Sequence, residues 1–169
     1  MLALGVALVA TLAPGAPARI AGPGPIAART DRSLESDLLG LINGARAEHG
    51  LRALRASRML ESAAVRHARS MARFGFFAHR SRDGSTPRDR IIRAAPRLAS
   101  RGVGEVLLWR SPGPSPGQAL SMWLASPPHR AVLLDRGLRL IGLVALEADA
   151  APGVFGGRDV TIVAADLSG

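Results

Sequence analysis

The sequence predicts an α+β domain in which helices cover both sides of a small antiparallel sheet. Two long amphipathic helical patterns come first, and the apolar, strand-like runs that follow are interrupted by shorter helices. Strand and helix do not alternate regularly, which argues against a parallel, doubly wound sheet. A chain of 169 residues with 47% hydrophobic residues is long enough and apolar enough to form one packed domain.

The two long helices are predicted over residues 34–49 and 58–74. Ser33 and Ser57 are the predicted N-caps, and Gly75 is the predicted end of the second helix. Apolar residues recur at helical spacing in both segments, namely Leu34, Leu38, Leu41, Ile42 and Ala45 in the first and Leu60, Ala64, Ala68 and Met71 in the second. Each helix therefore has one face that can pack against a sheet.

Three shorter helices are predicted to begin at polar N-caps followed by proline. Thr86, Ser115 and Ser126 each precede a proline that can occupy the first helical turn. Strands are predicted over residues 103–109, 138–146 and 160–164, and a turn-rich connection suggests that the last two form a hairpin.

The N-terminal residues have the pattern of an export signal. Residues 1–18 combine an apolar run with a small-x-small site at Ala16-Pro17-Ala18, which predicts a cleaved signal peptide and a secreted protein. Residues 19–32 are rich in Pro, Gly and Ala and are predicted to be a linker, and the domain is predicted over residues 33–167. If the signal were not cleaved, it would be the one segment expected to contact a membrane.

The charge balance is strongly basic. All 22 basic residues are arginines and the net charge is +9, so anionic lipids and acidic cell-wall polymers are candidate partners. No long basic run and no interleaved aromatic residues are present, which argues against specific nucleic-acid binding. The chain has no cysteine, so it forms no disulfide and has no thiolate chemistry.

Three separated residues are candidates for a chemical site. His79 lies between an apolar stretch and a polar loop, Glu105 lies inside an apolar strand, and His129 lies at the start of a short helix. A carboxylate in an apolar strand must be paired, bind a cation or shift its pKa. If the three side chains converge, the histidines could bind a divalent cation such as zinc. Structural hydrogen bonding explains the same residues, and spacing alone does not distinguish the two interpretations. His49 and His67 are predicted to be structural.

An ordered series of motifs resembles the CAP (SCP-like) superfamily in its bacterial form. The matching segments are Asn43-Gly44-Ala45-Arg46, Phe77-Ala78-His79, Gly84 with Pro87 and Arg90, Gly104-Glu105, and Trp123 with Ser126-Pro127 and His129-Arg130. The resemblance extends over roughly residues 34–167.

This resemblance implies a three-layer α-β-α sandwich with a large cleft. Members commonly place two histidines and two glutamates in that cleft, where the histidines bind zinc or another divalent ion. Carried over residue by residue, the set is His79, Glu105 and His129, with the histidines as metal ligands. The second glutamate is replaced by Ser126, and Val106 replaces an asparagine after Glu105.

The resemblance favours a secreted binding module whose cleft holds a divalent cation and a lipid, sterol or cell-wall ligand. The alternative is a metal-assisted hydrolase of peptide or cell-wall substrates, with Glu105 as general base. The missing second glutamate argues against catalysis. A third hypothesis, electrostatic binding of an anionic polymer, rests on the net charge alone.

Overall fold

The structure, a computed structural model, describes Gly24 and residues 26–169. The predicted signal peptide lies outside the described residues. Five α-helices are present in this part of the chain: α1 (Arg32–Glu48), α2 (Arg58–Phe74), α3 (Pro87–Ala94), α4 (Pro116–Ala125) and α5 (Pro127–Leu133). The strands are β1 (Ala28–Thr30), β2 (Arg55–Ala56), β3 (Val103–Arg110), β4 (Leu140–Ala151) and β5 (Arg158–Ser168). Short 3₁₀ helices lie at Pro96–Leu98 and Gly153–Phe155.

The strands form one sheet in the order β1-β4-β5-β3, and the short β2 pairs with β4 in parallel. The other pairings are antiparallel, and β4 and β5 form the predicted hairpin. The strand β1 lies inside the segment that was predicted to be a linker. It pairs with β4, so ordered structure begins before Ser33.

Helices cover both faces of this sheet, which confirms the three-layer α-β-α architecture. Because side chains alternate along a strand, odd-numbered residues of β5 such as Val163 and Ala165 pack with α1, α4 and α5. Even-numbered residues such as Ile162 and Ala164 pack with α2. The helix α3 completes the α2 side, where Ile91 packs with Leu60 of α2.

The start of α1 differs from the prediction. Asp31 is the N-cap, since its carboxylate accepts a hydrogen bond from the Leu34 backbone nitrogen at 3.0 Å. Ser33, the predicted cap, lies inside the helix, because Asp31 precedes it and already caps a backbone N–H group of the first turn. Glu35 is buried and accepts a hydrogen bond from the Ala145 backbone nitrogen at 3.1 Å, which anchors the first turn of α1 to β4.

The C-terminal half of α1 is tied to the rest of the fold by one buried arginine. Arg46 is fully buried, and its guanidinium donates to four backbone carbonyls, those of Arg52, Leu133, Asp135 and Leu138. These carbonyls belong to the segment after α1 and to the end of α5 with the turn that follows. One side chain therefore joins segments that are 87 or more residues apart in sequence.

The helix α2 lies very close to β4 at one glycine. A Cβ added to Gly142 would lie 1.9 Å from the Glu61 backbone nitrogen and 2.1 Å from the Leu60 carbonyl carbon. No other residue fits there unless the helix moves. The same helix ends as predicted at Gly75, which has φ +67° and adopts the left-handed conformation.

The shorter helices begin at the positions predicted from their polar N-cap residues. Thr86 with Asp89 and Ser115 with Gln118 each form a reciprocal capping box. Ser57 and Ser126 are also N-cap residues, but their side chains make no capping hydrogen bond. Among the described residues, no helix has the length and apolar character needed to cross a bilayer.

We expect Gly142→Ala to lower the free energy of unfolding by about 3 kcal/mol or more, because the added methyl group meets helix backbone that cannot rotate away. Urea denaturation followed by circular dichroism measures this change. Gly40→Ala in α1 is the matched control, since an added Cβ there has nothing within 4 Å. It should leave stability unchanged or raise it by about 1 kcal/mol. Equal effects of the two substitutions would contradict the close approach.

Candidate functional site

The three residues predicted to form a site lie on three different elements. His79 lies in the loop after α2, Glu105 is the third residue of β3, and His129 lies in the first turn of α5. His79 is exposed, His129 is half-buried and Glu105 is buried.

The structure brings His79 and Glu105 into direct contact. The Nδ1 atom of His79 lies 2.7 Å from Oε1 of Glu105. The Glu105 side chain is 1% exposed and that of His79 is 54% exposed. A buried carboxylate therefore orients an imidazole whose other edge is open to solvent.

His129 lies beside His79 on the open side of this pair. The two ring centroids are 6.4 Å apart and the ring planes are inclined by 53°. Burial lowers the pKa of His129, and the neighbouring His79 lowers it further. Both effects favour the neutral imidazole, which is the form that binds a metal ion.

Arg90 is the buried partner of Glu105. Its NH2 group donates to Oε2 of Glu105, and both side chains are almost fully buried. The NH1 group donates to the carbonyl of His79 at 2.8 Å, to Oγ of Ser81 at 3.0 Å and to the carbonyl of Ser85 at 3.4 Å. One arginine on α3 thus holds both the acid and the loop that carries His79.

A second buried acid lies beside Glu105 on the neighbouring strand. Asp166 of β5 is the cross-strand partner of Glu105. It is fully buried, and no donor among the described residues reaches either of its carboxylate oxygens. Burial raises its pKa well above the ordinary value, and the negative charge of Glu105 raises it further. Both effects favour the protonated form of Asp166, which can donate a hydrogen bond to Glu105.

His67 of α2 extends the network on the far side of Arg90. Its Nε2 lies 2.8 Å from the carbonyl of Ala78 and therefore carries the proton. Its Nδ1 lies 3.3 Å from Oγ of Ser81 and accepts from that hydroxyl. Burial lowers the pKa of His67, and the charge of Arg90 lowers it further. The structural role predicted for His67 fits these contacts.

The contacts of Glu105 limit what this residue can do chemically. One oxygen faces His79 and the other is taken by Arg90, and the side chain is buried. A general base needs a free oxygen within reach of the proton that it removes. Glu105 is therefore placed to position His79 rather than to activate water. Ser126, which replaces the second glutamate, is the N-cap of α5.

Two members of this network were not among the candidates from the sequence. Arg90 was noted only as part of a motif, and Asp166 was not considered. Asp166 carries the same signal that singled out Glu105, an acid within an apolar strand. The predicted strand ended at residue 164, whereas β5 continues to Ser168 and includes Asp166.

Comparison with protein families decides what kind of domain this is. The model of the CAP family, the cysteine-rich secretory protein family, matches residues 39–156. The chain belongs to the CAP family. It is a member without cysteine. Comparison with curated proteins finds no match.

Solved structures of bacterial proteins share this CAP fold. An outer surface protein of Borrelia burgdorferi has a TM-score of 0.70 at 19% identity, and the match covers 84% of this chain and 98% of that one. An extracellular protein with an SCP domain from Bacillus anthracis str. Ames has a TM-score of 0.64 at 22% identity, with 81% of this chain and 40% of that chain covered.

A third CAP structure is a cysteine-rich secretory protein from Staphylococcus aureus. Its TM-score is 0.56 at 15% identity, and the match covers 80% of this chain and 38% of that one. The CAP domain described here therefore corresponds to less than half the length of the Bacillus and Staphylococcus proteins.

We expect Asp166→Asn to make this CAP domain more stable than the wild type at neutral pH but not at pH 4. The folded wild type keeps the Asp166 proton to higher pH than the unfolded chain, whose ordinary value is 3.8. Wild-type stability is therefore lost as the pH rises from about 3.8 toward the folded pKa. Asparagine cannot ionise and can still donate to Glu105, so the variant loses this dependence.

Urea denaturation between pH 4 and pH 8 measures the difference, which grows by about 1.4 kcal/mol for each pH unit within that window. Asp149→Asn, at an exposed position of β4, is the matched control and should follow the wild-type profile. Parallel profiles for Asp166→Asn and wild type would show that Asp166 is not a neutral acid in the folded chain.

Proposed function

We propose that this chain is a secreted CAP-domain binding module whose cleft holds a divalent cation, zinc in the first instance, between His79 and His129. The observation that carries the proposal is the contact between Nδ1 of His79 and Oε1 of Glu105 at 2.7 Å. Metal-binding histidines commonly have one ring nitrogen fixed by a carboxylate, which leaves the other nitrogen free for the metal. Arg90 in turn fixes the carboxylate.

The two imidazoles form an open donor set. Their ring centroids are 6.4 Å apart, so the rings would have to move closer for both to bind one zinc ion tetrahedrally, with Zn–N bonds of about 2.0–2.1 Å. Across the described residues, no group of three or more His, Cys, Asp or Glu side chains is arranged to hold a metal ion. Two protein ligands would leave the remaining coordination positions to water or to a bound ligand.

The chain's own residues have separate tasks in this proposal. His79 and His129 would bind the cation through ring nitrogens, and Glu105 holds the ring of His79 in the required orientation. A cation bound there would supply a positive centre that attracts an oxygen atom of a ligand. The buried position of Glu105 favours binding over the hydrolase alternative, because no free carboxylate oxygen is available as a general base.

The proposed setting is the cell exterior. The apolar pattern of residues 1–18 supports export, and the structural neighbours from Borrelia and Bacillus are described as an outer surface and an extracellular protein. The net charge of +9 favours anionic ligands, either a cell-wall polymer or a lipid headgroup.

We expect His79→Ala and His129→Ala each to abolish saturable zinc binding in an isothermal titration, because one remaining imidazole binds the ion only weakly. Circular dichroism should be unchanged in both variants, since both side chains lie at the surface of the site. His49→Gln, at the C-cap of α1, is the matched control and should bind zinc like the wild type. A wild-type protein that shows no saturable zinc binding would remove the cation from this proposal.

We expect Glu105→Gln to weaken zinc binding by about 10- to 100-fold without abolishing it, because the glutamine no longer supplies the charge that orients His79. The same titration gives the affinity, and thermal unfolding shows whether the variant is folded. Glu147→Gln is the matched control, since Glu147 pairs only with exposed Arg29 among the described residues. Unchanged zinc affinity in a folded Glu105→Gln variant would exclude the positioning role.

A further inference from the structure

A basic cavity lies behind the proposed cation site, between α2 and the segment that runs from the His79 loop into α3. It has a volume of about 300 Å³. Four arginines line it, namely Arg66, Arg82, Arg90 and Arg93. Serine hydroxyls and one acid, Asp83, complete the polar part of the wall. The wall therefore carries a clear excess of positive charge.

Three of these arginines are exposed, and two of them make other contacts. Arg66 donates to Oγ of Ser62 at 2.5 Å, and the guanidinium of Arg82 lies 4.4 Å from the ring centroid of Phe74. Arg66, Arg82 and Arg93 are exposed at the cavity, and none of them forms an ion pair with a carboxylate in the part of the chain that the structure describes. The one acid, Asp83, accepts hydrogen bonds from the backbone nitrogen and the hydroxyl of Ser85 at 2.9 and 2.6 Å. Both bonds are made to Oδ1, so the loop holds one of the two carboxylate oxygens of Asp83.

Arg90 links the wall of the cavity to the buried ion pair with Glu105. Its side chain lines the cavity and is 7% exposed. Its two terminal nitrogens donate to Glu105 and to the His79 loop, and its buried Nε–H has no acceptor among the described residues. The Nε atom is buried away from the cavity surface, so the part of Arg90 that lines the cavity contributes to its wall and is not a free donor for a ligand.

The shape and chemistry of the wall indicate the class of ligand. Arginine guanidinium groups match the oxygens of phosphate, and several of them suit a doubly charged group better than a single carboxylate. The cavity is larger than a bare phosphate needs. Phe74 and Ala63 give it an apolar part that can contact a short carbon chain. A phosphate monoester on a body the size of glycerol fits these features.

We propose that this cavity binds the phosphate monoester of a small organic ligand through the exposed guanidinium groups of Arg66 and Arg93. The site goes beyond the proposed cation binding, because its arginines are separate from the two histidines. It remains linked to the cleft through Arg90, which contacts the His79 loop on one side and lines the cavity on the other. The ligand is either a free phosphate monoester or a lipid headgroup of the same chemistry.

Isothermal titration of the full chain with glycerol 3-phosphate tests the free ligand, at constant ionic strength and with chelator present to exclude metal ions. Flotation with vesicles of phosphatidylcholine, with and without phosphatidic acid, tests the headgroup. We expect saturable binding in one arm, reduced about tenfold or more in Arg66→Gln and Arg93→Gln. Arg55→Gln, at an exposed arginine outside the cavity, should bind within about twofold of wild type.

The arm that shows this pattern identifies the source of the phosphate. Absence of binding in both arms would overturn the proposal, and so would an equal loss in Arg55→Gln, which would indicate attraction by net charge alone. His129→Ala should retain phosphate binding, and Arg93→Gln should retain zinc binding. Failure of the cation site and failure of the phosphate site are therefore distinguishable.

Discussion

The buried ion pair between Arg90 and Glu105 is the interaction on which the rest of this site depends. It joins α3 to β3 beneath the loop that carries His79. Glu105 can orient an exposed imidazole only because its second oxygen is held by the guanidinium. Burial and the negative charge of Glu105 raise the pKa of Asp166, whereas the positive charge of Arg90 lowers it.

Substitution of either partner of this ion pair would destabilise the folded domain. Removal of one partner from a buried ion pair leaves the other charge unsolvated, at a cost of about 3–5 kcal/mol. Removal of Arg90 would also break its three hydrogen bonds to residues 79–85. The polar network is thus part of the packing on the α2 side of the sheet, and the site rests on it.

Much of the architecture could be predicted from local chemistry. The capping boxes at Thr86 and Ser115 and the end of α2 at Gly75 follow from side chains within a few residues of each helix end. Asp31 was missed as the cap of α1 because Ser33 is an equally good cap by residue type. Val106, where the resemblance expects an asparagine, alternates with Glu105 along β3 and packs on the α1 side.

The site itself could be predicted only in part. Glu105 was found because a carboxylate inside an apolar strand needs a partner, but no spacing rule identifies that partner as Arg90. An arginine on a short amphipathic helix looks like a solvent-exposed residue until the helix is placed against the sheet. Asp166 was missed for a simpler reason, since its strand continues beyond the last strongly apolar residues.

The four hydrogen bonds from Arg46 to backbone carbonyls hold the domain together without a covalent cross-link. They connect distant segments of a chain that has no cysteine, as disulfide bonds do in many exported proteins. These hydrogen bonds do not depend on whether the compartment is reducing or oxidising. Folding of this chain therefore requires no disulfide formation, in a reducing or in an oxidising compartment.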